Sequence, residues 1–222
     1  MSAVYIHNAT SWEEADAAFE AFAVVVPDRR RELAERVAAT GGPDLDRSVE
    51  SLDAVNRWFI AQVLDRPAPP DVDYRPAWMP PTNPDYRWRP GLAYPAPGWL
   101  LLLWEQVGVY VGDVMTTQVP GARWVCWRDR QKRHISNGKP VVDVGVPTGA
   151  SDTLACANAG VLRAWSERDL PGGVDVPDPG RQRAFVEAVL ARRAAYLEEH
   201  PARWQAAPTG PRASRPQATP PP

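Results

Sequence analysis

The chain has 222 residues, 44% of them hydrophobic, which is enough for one domain with a sizeable core. A formal net charge of -2 gives no global attraction to nucleic acid or to anionic membranes, so an electrostatic partner has to be held by a local patch. The two cysteines, Cys126 and Cys156, are too few for a disulfide framework and lack the spacing of a metal site.

The first residues, MSAVYIHNATSW, lack the basic and apolar regions of a secretory signal, and a cytoplasmic location is expected. Ser11 caps a first helix over 11–26, in which Phe19, Phe22 and Val26 recur at helical spacing. Asp28 suits the cap of a second helix over 28–39, stopped by TGGP. A third helix follows, with Ser48 and Ser51 near its start and Leu52, Val55, Phe59, Ile60 and Val63 on one face.

Residues 65–97 are dense in proline, which excludes regular helix or central strand, yet they carry Tyr74, Trp78, Met79, Tyr86, Trp88 and Tyr94. That aromatic load predicts an ordered strap laid across the helices. A helix over 98–118 comes next. Its apolar run WLLLLW is broken by Glu105, far short of the roughly 20 residues a membrane span needs. Gly108 and Gly112 share one face of it and predict a neighbour packed close against the backbone. Two strands, ARWVCW and KPVVDVGV, flank the turn signal Asn137-Gly138. Asp152 then caps one helix over TLACANAGVLRAWSE, and a last helix spans 181–199. The expected fold is α+β, a mainly helical single domain over 1–200 with a small antiparallel β-sheet, followed by a disordered Pro-rich tail over 201–222.

His7, His134 and His200 lie in unrelated segments without a second ligand at metal spacing, and no phosphate-binding, dinucleotide or nucleophile-elbow motif is present. No metal and no cofactor is expected, and no catalytic residue is assigned. Asp113 lies toward the C-terminal end of its helix, where the dipole disfavours an anion, so a cation should compensate it; Arg123 is the expected structural partner. Between Ala122 and Lys139 stand Arg123, Arg128, Arg130, Lys132, Arg133 and Lys139 against Asp129 alone, a basic face with Trp127 beside it.

Three stretches, LAERVAATGGPDLDRSVESLDAVNRWF (33–59), VGVYVGDVMTTQVPGARW (107–124) and NGKPVV (137–142), resemble an uncharacterised group of actinobacterial cytoplasmic proteins. In that group a TGGP-LD-S-ESL-W helix start precedes a helix ending in YxGE-V and then GxRW. Asp113 stands where the pattern has Glu, which keeps the charge and shortens the reach. The resemblance implies no activity. By analogy alone, small α+β proteins also serve as toxin-neutralising immunity partners.

The leading expectation is a non-catalytic interaction protein that binds another protein through an aromatic and arginine surface formed by Trp78, Trp88, Trp127, Arg128, Arg130, Lys132 and Arg133. One alternative is a small hydrolase using Asp113, Glu105 and His134 in a cleft beneath the strap, and the test for it is convergence of the three groups. Another is a weak nucleic-acid-binding module. Residues 1–65 carry 12 acidic and 6 basic side chains, so no duplex affinity is expected at physiological salt.

Overall fold

The computed structural model describes residues 9–82, 87, 95–129, 134–146, 151–158, 160–170 and 175–201. Within these, α1 (Trp12–Ala39), α2 (Ser51–Leu64) and α3 (Gly98–Gln118) precede an antiparallel pair, β1 (Arg123–Cys126) and β2 (Pro140–Asp143). Then come α4 (Thr153–Asn158), α5 (Val161–Glu167) and α6 (Arg181–Glu199). The protein is thus α+β and mainly helical with a small antiparallel sheet, and one contiguous apolar core draws side chains from α1 through α6. The expected tail falls outside the described residues, apart from Pro201.

The two expected N-terminal helices are one. Ser11 caps it, accepting from Glu14 N–H at 3.2 Å, but the helix runs on through Pro27. Proline lacks the N–H that would reach Ala23 O, yet Ala23 and Pro27 are both exposed and water can take that bond. Asp28 is not a cap. It pairs with Arg31 at 2.9 Å, and Arg31 with Glu35 at 3.3 Å, so i,i+3 and i,i+4 pairs carry the helix past the proline. The helix ends where Gly42 N–H closes on Val37 O at 2.8 Å.

α3 is the central element, buried on nearly every face from Trp99 to Met115. α1, α2, α4, α6 and β2 all pack on it. Its glycines do what their spacing suggested: Leu154 of α4 sits over Gly108, and the Trp124 ring of β1 sits over Gly112. Trp124 is wedged there by Phe22 of α1, edge to face at a centroid distance of 5.0 Å. In the sheet Trp124 faces Val142 and Val125 faces Val141, and the ladder continues past Cys126 through Trp127 N–H to Lys139 O at 2.9 Å and Gly138 N–H to Trp127 O at 3.0 Å.

Asp152 caps α4 as expected, accepting from Ala155 N–H at 2.8 Å. The single helix expected beyond it is instead two, because Gly160 adopts a left-handed φ of 86° between α4 and α5. The strap is tied down at both ends. Trp78 and Met79 are buried, Ala77 N–H reaches Glu105 at 3.3 Å, and Asp71 accepts from Gly98 N–H at 2.7 Å while pairing with Arg87. Trp88, Tyr86 and Tyr94 lie outside the described residues.

Candidate functional site

An apolar helix as deeply buried as α3 cannot leave ionised carboxylates unpartnered. α1 supplies the partners. Arg29 Nε donates to Glu105 at 3.2 Å and Arg29 Nη1 bonds Glu32 at 2.7 Å, while Gln106 Nε2 donates to Glu32 at 2.9 Å. Two turns further along α3, Arg30 grips Asp113 with Nε at 3.0 and 2.8 Å to its two oxygens and Nη2 at 2.5 Å. The partner of Asp113 is therefore Arg30, 83 residues away, and not the expected Arg123, which is exposed at the start of β1. The missed signal was the DRRREL run of α1, whose first two arginines each reach an acid of α3.

The two ends of the Arg30–Asp113 pair differ in exposure, 40% against 5%, and this sets an asymmetric prediction. Arg30→Ala leaves a buried carboxylate without its cation and is expected to cost about 2–3 kcal/mol. Asp113→Ala lets the guanidinium turn to water and is expected to cost about 1 kcal/mol. Urea unfolding of both variants checks the order; equal costs would contradict the assignment of the buried end.

Burial pushes the Glu105 carboxyl up to about 7, against the pull of Arg29 and the Ala77 N–H. That is a perturbed acid, but its neighbours do not make it an acid–base pair. His134 lies in the hairpin turn, where its Nδ1 accepts from Ser136 N–H at 3.2 Å and its ring tilts toward Trp127 at 6.2 Å. Glu105 and Asp113 are each held by an arginine, the arrangement of a structural role. Burial also pushes both the Cys126 and Cys156 thiols up to about 12, which keeps them protonated and poor as nucleophiles at neutral pH.

A second feature joins the strap, the hairpin and α4. Trp78 of the strap meets Trp104 of α3 edge to face at 5.5 Å, and Trp104 Nε1 donates to Leu154 O at 2.5 Å. With Ala155 and Asn158 these residues line a notch of about 90 Å³, bounded by the Lys139–Asp152 ion pair at 3.0 Å. Both charged side chains are largely covered, 13% and 14% exposed, so the pair is better shielded from screening than the surface pairs.

The expected partner-binding residues fall into three groups. Trp78 is 5% exposed, so it serves as a wall of the notch and not as a protruding anchor. Trp127 is half-buried, and Arg128 stacks on Trp12 at 4.6 Å while pairing with Asp16 of α1. Trp88, Arg130, Lys132 and Arg133 lie outside the described residues. Of the six cations between 122 and 139, Arg128 and Lys139 are thus engaged by acids of other segments, which lowers the charge the hairpin offers to a phosphate backbone. Ile135 in the hairpin turn is 67% exposed, an apolar side chain beside that cationic run. Among the described residues no helix is long and apolar enough to cross a membrane, and no group of three or more His, Cys, Asp and Glu is placed to hold a metal ion.

Comparison with family models, with curated proteins and with solved structures finds no match.

Proposed function

We propose that this chain is a non-catalytic interaction module that binds another protein at the junction of strap, hairpin and α4, as an immunity-type partner would. The observation that carries this reading is the notch between Trp78, Trp104, Leu154 and the Lys139–Asp152 pair. At about 90 Å³ it has room for one side chain of a partner. Its aromatic walls and shielded ion pair suit an apolar or aromatic anchor ringed by polar contacts, the usual anatomy of a binding hot spot. Exposed Ile135, in the hairpin whose Lys139 bounds the notch, adds apolar contact area. The engaged carboxylates and protonated thiols support binding over catalysis.

The test uses Ala155, an exposed residue on the notch wall. Ala155→Trp fills the notch from outside without touching the core. In affinity purification from native lysate, a specific co-purifying protein is expected with the wild type and reduced at least about tenfold with Ala155→Trp, the loss of one anchor. Exposed Glu187→Ala on α6 should leave it unchanged. Recovery of the same proteins by wild type and Ala155→Trp, both folded, would sink the proposal.

A further inference from the structure

The α1–α3 seam opens at one end into a cleft that the protein-binding reading does not use. It encloses about 120 Å³ and is lined by Leu33 of α1, Leu45 of the following loop, Arg30, Arg47, Gln106 and Tyr110, together with the Arg30-bound Asp113. Both arginines are positioned by α3. Asp113 takes Arg30 through Nε and Nη2, which leaves Nη1 uncommitted among the described residues.

Arg47 is placed by a relay of hydroxyls. Ser51 Oγ donates to Ser48 O at 2.7 Å, so Tyr110 gives its own hydrogen to Ser51 Oγ at 2.7 Å and accepts from Arg47 N–H at 3.1 Å. Gln118 Nε2 donates to Arg47 O at 3.4 Å from the other side. Arg47 is thereby held at a φ of 61°, the single non-glycine residue with positive φ among the described residues. That conformation costs on the order of 1 kcal/mol. The Arg47 side chain is exposed and adds nothing to the apolar core. The neighbouring acid Asp46 is engaged by Ser48 N–H at 2.8 Å, and Asp113 is already neutralised by Arg30. The cleft is therefore lined by two arginines of different segments, one with its guanidinium oriented by a carboxylate and one with its backbone fixed by a tyrosine, next to an aliphatic wall.

We propose that this cleft binds a short aliphatic carboxylate. The two carboxylate oxygens accept from Arg30 Nη1 and from the Arg47 guanidinium, and the hydrocarbon chain lies on Leu33 and Leu45. Planar donors matched to a planar carboxylate set the head-group chemistry, and the volume limits the chain to a few carbons.

Titration of the full chain with sodium butyrate, followed through the arginine Nε–H signals by NMR, tests this. Saturable shifts of Arg30 and Arg47 are expected, with a Kd on the order of 1 mM for so small a ligand. Arg47→Gly removes the guanidinium while suiting the left-handed backbone, and is expected to weaken binding at least tenfold with the melting temperature retained. Arg47→Gln serves as the second variant if glycine loosens the loop. An absence of saturable shifts in the wild type, or equal affinity in a folded Arg47 variant, overturns the proposal. So does inorganic phosphate binding as tightly as butyrate, which would reveal a site for any anion with no use for the aliphatic wall.

Discussion

Glu105→Gln is expected to gain stability relative to the wild type as pH rises from about 4.5 to about 7, and to hold that gain above pH 7. The buried carboxyl of Glu105 is pushed up to about 7 from an ordinary value of 4.5, burial outweighing Arg29. Between those two values the folded protein keeps a proton that the unfolded chain has released. Folding therefore binds protons in this window, and the stability linked to Glu105 is fully present below pH 4.5 and is lost as pH rises through about 7. Glutamine keeps the shape and an acceptor for the Ala77 N–H or Arg29, but it has no proton to lose. Glu32, which already bonds Arg29 at 2.7 Å, limits the cost of removing the charge. The stability difference between variant and wild type should change by about 3 kcal/mol across the window, from the size of the shift at 1.36 kcal/mol per unit. Urea unfolding at pH 4.5, 6 and 8 measures it, and the other titrating groups cancel in the difference. A difference that stays constant with pH would show that Glu105 ionises normally in the folded protein.

How far the sequence reveals this arrangement depends on whether the controlling interaction is local. The limits of α3 were legible because Pro97 and Pro120 bracket an apolar run, and the hairpin because Asn137-Gly138 marks its turn. Gly108 and Gly112 signalled close packing correctly, since two glycines on one helical face weaken the helix unless a neighbour fills the space their missing side chains leave. The fusion of the first two expected helices was not legible, because a proline and a following aspartate carry the signature of a helix start. Only the exposure of Ala23 and the Asp28–Arg31–Glu35 pairs explain why the helix continues. The partner of Asp113 was misassigned for a related reason. Proximity in sequence favoured Arg123, whereas the packing of α1 on α3 brings Arg30 in from a distant segment. The notch was harder still, since it exists only where the strap, α3, the hairpin and α4 meet, and Trp104 and Asp152 carry no local sign of sharing a wall.

The glycines of α3 give the sharpest quantitative test of the packing, because helix propensity and tertiary contact pull in opposite directions. Propensity alone makes each Gly→Ala change within a helix stabilising by up to about 1 kcal/mol. At Gly98 an added Cβ would lie 1.9 Å from Val72 O and 2.9 Å from Tyr74 N. Both are backbone atoms of the strap and cannot rotate away, so the strap must lift and strain the bond between Gly98 N–H and Asp71. At Gly112 the Cβ would lie 2.1 Å from Trp124 Cζ2, a ring backed by Phe22 and therefore slow to yield. At Gly108 the nearest atom is Leu154 Cδ2 at 2.6 Å, the far end of a flexible side chain, although Leu154 Cα follows at 3.1 Å. The expected order of destabilisation is Gly98→Ala at about 3 kcal/mol or more, Gly112→Ala at about 2 kcal/mol, and Gly108→Ala at less than about 1 kcal/mol, since overpacking of a rigid neighbour typically costs 1–3 kcal/mol. Denaturant unfolding of the three variants measures the order. Trp124 fluorescence should shift in Gly112→Ala as the ring is forced outward, and a Gly112→Ala protein as stable as the wild type would mean that Trp124 does not rest on α3 in solution.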